Sequence, residues 1–361
     1  MKWRFDTYWF FSLLVVLFMD GCTEAIEFEV DSIPNQIVIV GSINTLPGPY
    51  RVSVTKAIDF FKTADDIDDK VTDAQVIIYS DDGQEEVLTH NGDGIYETSI
   101  GGIRGEIGRS YSITVISENG EVYQSTKELI TDSPEIDSVY FKYEEFESNK
   151  NNVIITKKFA SIMIDTEDNP EVENYYAWNW NGTYKFSSFP ELFTVKIDGG
   201  IVLAPKPCSF NVCSCCECWH SIDDKSQLTV GDDTHTNGSE IIGQEVAKIP
   251  ITYRTFGQKY LINVKQRSLT KKAFEFWSLV KNQETASTIS ATPPAKIIGN
   301  ISNINNPNET VWGYFSASDV SQKSFYITRK EIPTILLETD SLLNDCRSIN
   351  GATTEQPLFW K

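Results

Sequence analysis

The chain has 361 residues, 40% hydrophobic and 23% charged, which exceeds one typical domain and is enough to bury a sizeable core. Its 51 acidic residues against 31 basic ones give a net charge of -20, so the average surface repels phosphate backbones and excludes nucleic acid as an expected partner. Abundant aromatic, β-branched, Gly and Pro residues, with recurring turn dipeptides, predict a mainly β chain.

The first segment reads as an export signal. Lys2 and Arg4 precede an apolar run from Tyr8 to Met19, and the run stops at Asp20-Gly21-Cys22. It is about a dozen residues long, short of the roughly 20 of a membrane-crossing helix. A Cys directly after Gly at the end of such a run resembles a bacterial lipobox, where the thiol is acylated and the signal is removed before it, although Met19 and Asp20 replace the usual aliphatic and small residues. Residues 1–21 are therefore expected to be a lipoprotein signal peptide and Cys22 the lipidation site. Residues 22–34, with Glu24, Glu27, Glu29 and Asp31, form an acidic tether from that anchor.

From residue 35 to 133 the pattern is that of half-buried strands. In "YRVSVT", Tyr50, Val52 and Val54 point one way and Arg51, Ser53 and Thr55 the other; "YSITV" repeats this with Tyr111, Ile113 and Val115. Asp82-Gly83, Asn91-Gly92, Asp93-Gly94 and Asn119-Gly120 supply turns between them. Short strands at this spacing predict an immunoglobulin-like or fibronectin-like β-sandwich. The acidic run "ADDIDDK" lacks the alternating ligands and fixed Gly of a calcium loop, and it reads as solvated.

"TDSPEIDSV" (Thr131 to Val139) ends that region, and residues 134–361 are expected to form a larger β-rich domain. In "YYAWNWNGTYKF", Tyr176, Trp178 and Trp180 share a face, Asn181-Gly182 reads as a hairpin turn, and the chain returns through Tyr184 and Phe186. Tyr176, Trp178, Trp180 and Tyr184 are thus candidate ligand-binding aromatics, set against the plainer reading that the rings are core. One helix is predicted at "SLTKKAFEFWSLVKN". Ser268 caps it, Leu269, Ala273, Phe276 and Val280 face a sheet, and Lys271, Lys272, Glu275, Ser278 and Lys281 face outward. Strands then resume at "AKIIGNI" and "WGYFSAS".

"CSFNVCSCCECWH" crowds Cys208, Cys213, Cys215, Cys216 and Cys218 together. With Cys22 lipidated, Cys346 makes an even set of six, and an even set in an exported chain reads as disulfides. Full pairing leaves two bonds inside the cluster and sends one to Cys346. The rival is thiolate-bound zinc aided by His220, but C-x-C-C-x-C lacks the two separated pairs of a structural zinc site. Among the three histidines, His90, His220 and His235, none falls in a metal-binding or nucleophilic motif. No cofactor and no catalytic residue is therefore expected.

Cys22, "DAQVIIYSDDG", "GDGIYET", "GRSYSITVISENGEVYQS", "PEIDSV", "CECW", "IIGNI" with "WGYFSAS", and "DCRSINGATTEQPLFW" follow one another in an order that covers nearly the whole chain. In this the sequence resembles the uncharacterised outer-membrane lipoproteins of Bacteroidota (domain of unknown function 4249) associated with TonB-dependent receptors. The resemblance implies a surface-exposed lipoprotein acting as a ligand-binding or lid-like accessory in nutrient uptake. Its expected partners are a TonB-dependent receptor, the outer membrane through the lipid, and an unknown nutrient such as a glycan or peptide. The alternatives are an adhesin or structural envelope protein, and an extracellular hydrolase whose carboxylates assemble only in three dimensions.

Overall fold

The computed structural model describes residues 36–57, 69–150, 153–167, 173–206, 216–223, 228–233, 238, 240–289, 296–336 and 342–361. The expected signal peptide, Cys22 and the expected acidic tether lie outside the described residues, as do "ADDID", Cys208, Cys213, Cys215 and His235.

The chain is mainly β. The first strands are β1 (Ile37–Asn44), β2 (Arg51–Lys56), β3 (Gln75–Ser80), β4 (Glu85–Val87) and β5 (Thr89–His90). After them come β6 (Ile95–Glu97), β7 (Ser110–Ile116), β8 (Val122–Ser125) and β9 (Glu128–Leu129). The next group contains β10 (Ile136–Lys150), β11 (Val153–Thr166), β12 (Tyr175–Ser187), β13 (Thr194–Ile197) and β14 (Gly200–Leu203). The chain continues through β15 (Glu217–Asp223), β16 (Thr229–Asp232), β17 (Ile241–Pro250), a one-turn helix α1 (Tyr253–Phe256), and β18 (Lys259–Leu269). Helix α2 (Lys271–Ile289) precedes β19 (Ile301–Asn303), β20 (Phe315–Ser318), β21 (Val320–Thr328) and β22 (Ala352–Thr353). Among the described residues no helix is long and apolar enough to cross a membrane.

A first sandwich faces the sheet β20-β1-β2-β6-β5 against β19-β8-β7-β3-β4, with β9 beside β7. The alternation in β2 and β7 does what their sequences predict, burying Tyr50, Val52 and Val54 from one sheet against Tyr111, Ile113 and Val115 from the other. Gly83, Gly92, Gly94 and Gly120 take positive φ in the expected turns, a conformation that glycine adopts without Cβ strain. Two strands come from far along the chain. β20 lies parallel to β1, and β19 closes the other sheet against β8. Residues 134–361 are therefore not one separate unit, because their segment around 301–318 completes the N-terminal sandwich.

The second part has three layers. A sheet of β10-β11-β17 packs on the sheet β21-β18-β12-β15-β22, with β16 also on β12, and α2 covers the opposite face of that larger sheet. Thr270 Oγ1 accepts the Ala273 amide and caps α2. The expected cap, Ser268, instead belongs to β18, where its hydroxyl donates to the Thr131 carbonyl. Ala273 and Phe276 bury against Ala177 and Leu269, as the helical spacing predicts.

The aromatic stretch is one continuous strand rather than a hairpin. All of β12 from Tyr175 to Lys185 pairs with β18, and Gly182 sits opposite Ile262 in mid-strand. A Cβ at Gly182 would come within 2.1 Å of the Tyr260 hydroxyl, so glycine is required here by the close approach of a ring and not by a turn. The even-numbered rings still share a face, as alternation demands, and that face is the core: exposures are 1% for Tyr176, 1% for Trp178, 4% for Trp180 and 3% for Tyr184. The Trp178 indole donates to the buried Gln266 Oε1 at 2.8 Å, which satisfies its one polar atom. These four residues are core, which is the plainer of the two readings that their sequence allows.

A disulfide joins Cys218 on β15 to Cys346, both fully buried, across a sequence separation of 128. The cysteine stretch is thereby stapled to the C-terminal segment. That segment also lays β22 on β15 and packs Trp360 against Trp219 and Tyr326.

Candidate functional site

With the even residues of β12 in the core, its odd residues form the other face of the sheet. Ala177 stands opposite Arg267, and Asn179 opposite Lys265. Together they floor a pocket of about 380 Å³ beneath α2. The helix contributes Trp277, Val280, Lys281 and Glu284, which recur at helical spacing and so line one side of the pocket. Leu228 and Asp223 close a second side. Ser316 and Ser318, from the strand that returns to the first sandwich, close a third.

The chemistry of the floor is unusual for so acidic a protein. Arg267 is half-buried, and its Nε has no hydrogen-bond partner among the described residues. None of the ion pairs among the described residues involves it. Burial pushes its pKa down, and the negative charge of Asp223 acts in the opposite direction. A buried cation that lacks a bound acid costs free energy, and it persists where the surroundings or a ligand offset that cost. Next to it, the Asn179 Oδ1 is buried and without a partner among the described residues. Lys281 is already engaged, donating to the Leu228 carbonyl at 2.7 Å, so it does not belong to the outward face that its sequence position predicts.

Along the same sheet face runs a second hollow, lined in part by Asn181, Asn263, Ser324 and Tyr326. Its polar groups satisfy one another: Asn263 Nδ2 donates to Asn181 Oδ1 at 3.1 Å, and Ser324 Oγ donates to Asn263 Oδ1 at 3.0 Å. Of these two hollows, the one under α2 is lined by buried polar atoms that have no partner among the described residues, Arg267 Nε and Asn179 Oδ1, and it is the candidate site.

The chemistry weighed from sequence does not converge elsewhere. Among the described residues no group of three or more His, Cys, Asp or Glu side chains is placed to hold a metal ion. His90 packs on Tyr96, while His220 faces the Asn350 carbonyl at 3.1 Å. Sequence reasoning missed Arg267 and Asn179, because each alternates with core residues as any outward-facing residue does. The available signal was a pair of cations, Lys265 and Arg267, on the strand that runs directly into the amphipathic helix.

A search of curated proteins finds no match for this chain. A family model described as a domain of unknown function (DUF4249) matches residues 23–324. That span takes in both sandwich layers, the disulfide-bearing strand, α2 and the pocket floor, and the chain belongs to the DUF4249 family.

Proposed function

We propose that the chain is a surface-exposed outer-membrane lipoprotein of a Bacteroidota-type envelope, serving as the ligand-binding accessory of a TonB-dependent nutrient-uptake receptor. The observation that carries the binding role is Arg267, a cation with no ion-pair partner among the described residues, at the floor of a pocket that also offers apolar walls and an amide oxygen, Asn179 Oδ1, unpaired among those residues. Sites of this kind hold a small ligand with a few placed polar groups and an otherwise apolar lining. The anchoring role rests on the residues around Cys22, and the choice of partner on the resemblance of the chain to receptor-associated lipoproteins.

The test is purification of the native protein from outer membranes in mild detergent, with mass spectrometry of its N-terminus and of co-purifying proteins. Acylated Cys22 together with a TonB-dependent receptor is the expected result. Acylated Cys22 with no receptor would remove the uptake role.

One feature supports a second reading, an adhesin or structural envelope protein. The pairing of β11 with β17 ends at Phe159 opposite Pro250, so residues 145–149 and 153–158 continue as a two-stranded ribbon. Its Phe146, Val153, Ile154 and Ile155 are exposed, and apolar exposure on a projecting edge marks a contact surface. Loss of attachment in a deletion strain, with nutrient uptake unchanged, would favour that reading.

A further inference from the structure

We infer that the pocket under α2 takes an amino acid or short peptide with an apolar C-terminal side chain, bound by its carboxylate at Arg267 and by an N–H at Asn179. The inference rests on the ligand-binding reading above and adds the ligand's chemistry.

Three observations lead to it. Arg267 presents guanidinium N–H groups that no carboxylate of the described chain engages, and a guanidinium fork matches a carboxylate better than any other small anion of biological abundance except phosphate. Phosphate is disfavoured by the rest of the lining. Beyond Arg267 the charged groups of the lining cancel, Lys265 and Lys281 against Asp223 and Glu284, so the pocket neutralises a monoanion and leaves a dianion half compensated. The second observation is the Asn179 Oδ1, a buried acceptor with no donor among the described residues, so a complementary ligand carries an N–H as well as an anionic group.

Register sets the distance between those two requirements. Asn179 pairs with Lys265, so Arg267 is its diagonal neighbour on the same face, a separation of roughly 7–8 Å between backbone positions. Side chains of unequal length close that gap to what one α-amino acid spans between its carboxylate and its nitrogen, with a hydrogen bond added at each end. The third observation is the wall. Leu228, Leu269, Trp277 and Val280 line the pocket together, and they suit an aliphatic or aromatic side chain. At about 380 Å³, the pocket lies at the lower end of the range for small-molecule sites, which suits one or two residues and not an oligosaccharide.

The experiment is titration calorimetry of the full chain with leucyl-leucine, leucyl-leucinamide and 4-methylpentanoate. One-to-one binding of leucyl-leucine is expected, with the C-terminal amide weaker by about 10- to 100-fold because it loses a charge-assisted bond. Arg267→Gln should weaken leucyl-leucine by a similar factor. Asn179→Ala should weaken leucyl-leucine about tenfold or less and leave 4-methylpentanoate unchanged, since that acid has no N–H. Equal affinity for the acid and the amide in the unmodified protein would overturn the inference, and that comparison needs no variant to fold. Absence of leucyl-leucine binding at millimolar concentration would overturn it as well. If the receptor still co-purifies in that case, the ligand class fails while the uptake role stands. Binding of leucyl-leucine by a protein that brings no receptor with it leaves the ligand class standing and removes the uptake role.

Discussion

Glu128 shows how one side chain ties distant parts of this chain together. It is 2% exposed, and its carboxylate accepts hydrogen bonds from Thr270 Oγ1 at 2.6 Å, Tyr314 Oη at 2.8 Å and Asn300 Nδ2 at 3.1 Å. Burial is the largest influence on its pKa and raises it above 4.5, against the lowering effect of those three donors and of the nearby Lys272 charge. Tyr314, which faces it, is pushed up as well, by burial first and then by the Glu128 charge. The folded chain holds the Glu128 proton to higher pH than the unfolded chain, so stability falls as pH rises from about 4.5 through the folded pKa. Glu128→Gln keeps the shape and cannot ionise. Urea midpoints at pH 5 and pH 8 should therefore shift in the variant's favour at the higher pH, and a pH-independent difference would contradict the assignment. Glu128→Ala, which orphans the donors in a buried site, should cost about 2–4 kcal/mol at pH 5 and less at pH 8, where the native carboxylate is itself destabilised. Gly182 is the second sensitive position. An alanine Cβ would meet the Tyr260 ring, itself stacked between Tyr184 and Phe256, and Gly182→Ala should cost about 1–3 kcal/mol in a denaturation measurement.

At the scale of elements, alternation is legible in the sequence and its partners are not. The even-residue aromatic face of β12 follows from a two-residue period, which any strand obeys whether straight or folded back. Asn181-Gly182 reads as a turn because that dipeptide favours one locally, but eleven consecutive pairings to β18 hold the segment extended, and tertiary pairing outweighs a local preference. The boundary of α2 differs from its expected place for a related reason. Ser268 and Thr270 are both able to cap, and Thr270 does so because β18 claims Ser268 through Asp319, whose amide donates to the Ser268 hydroxyl at 3.0 Å. The pocket floor is illegible because Arg267 and Asn179 meet only through the β12–β18 register, which no local pattern encodes. Cysteine counting does better, since full pairing of the six cysteines from Cys208 to Cys346 sends one bond out of the cluster, and Cys218 does reach Cys346. Because this bond closes a loop of 128 residues, the double variant Cys218→Ala with Cys346→Ala should lose about 4–5 kcal/mol in the chain-entropy account. An unchanged guanidinium midpoint would show that β22 and the Trp360 contacts hold the C-terminal segment by themselves.

At the scale of the molecule, the decisive fact is that the chain leaves the first sandwich at β9 and returns to it only at β19, after all of the second part's strands from β10 to β18. Each returning strand covers an edge: β20 pairs β1 from Gly41 to Asn44, and β19 pairs β8 from Tyr123 to Ser125. Ile301, Val311, Phe315 and Ala317 supply part of the first core itself. The joint between the two parts is buried and polar. Asp319 accepts from Thr45 Oγ1 at 2.6 Å and from the Ser133 amide at 2.9 Å, while Glu128 gathers Thr270 at the start of α2 with Asn300 and Tyr314 of the returning segment. Opening that joint would strand both carboxylates' donors and two unpaired sheet edges, so neither part gains by unfolding alone. The whole chain should therefore melt in one calorimetric transition, with calorimetric and van't Hoff enthalpies in agreement. A fragment ending at Ser133 should lack dispersed amide resonances and associate through its open edges, whereas a fragment ending there that folds as a stable monomer would show that the returning strands are dispensable. The pocket gives this coupling a functional consequence. Ser316 and Ser318 line it from the returning strand while α2 lines it from the other side, so a ligand seated there bridges both parts and should raise the temperature of that single transition as its concentration rises.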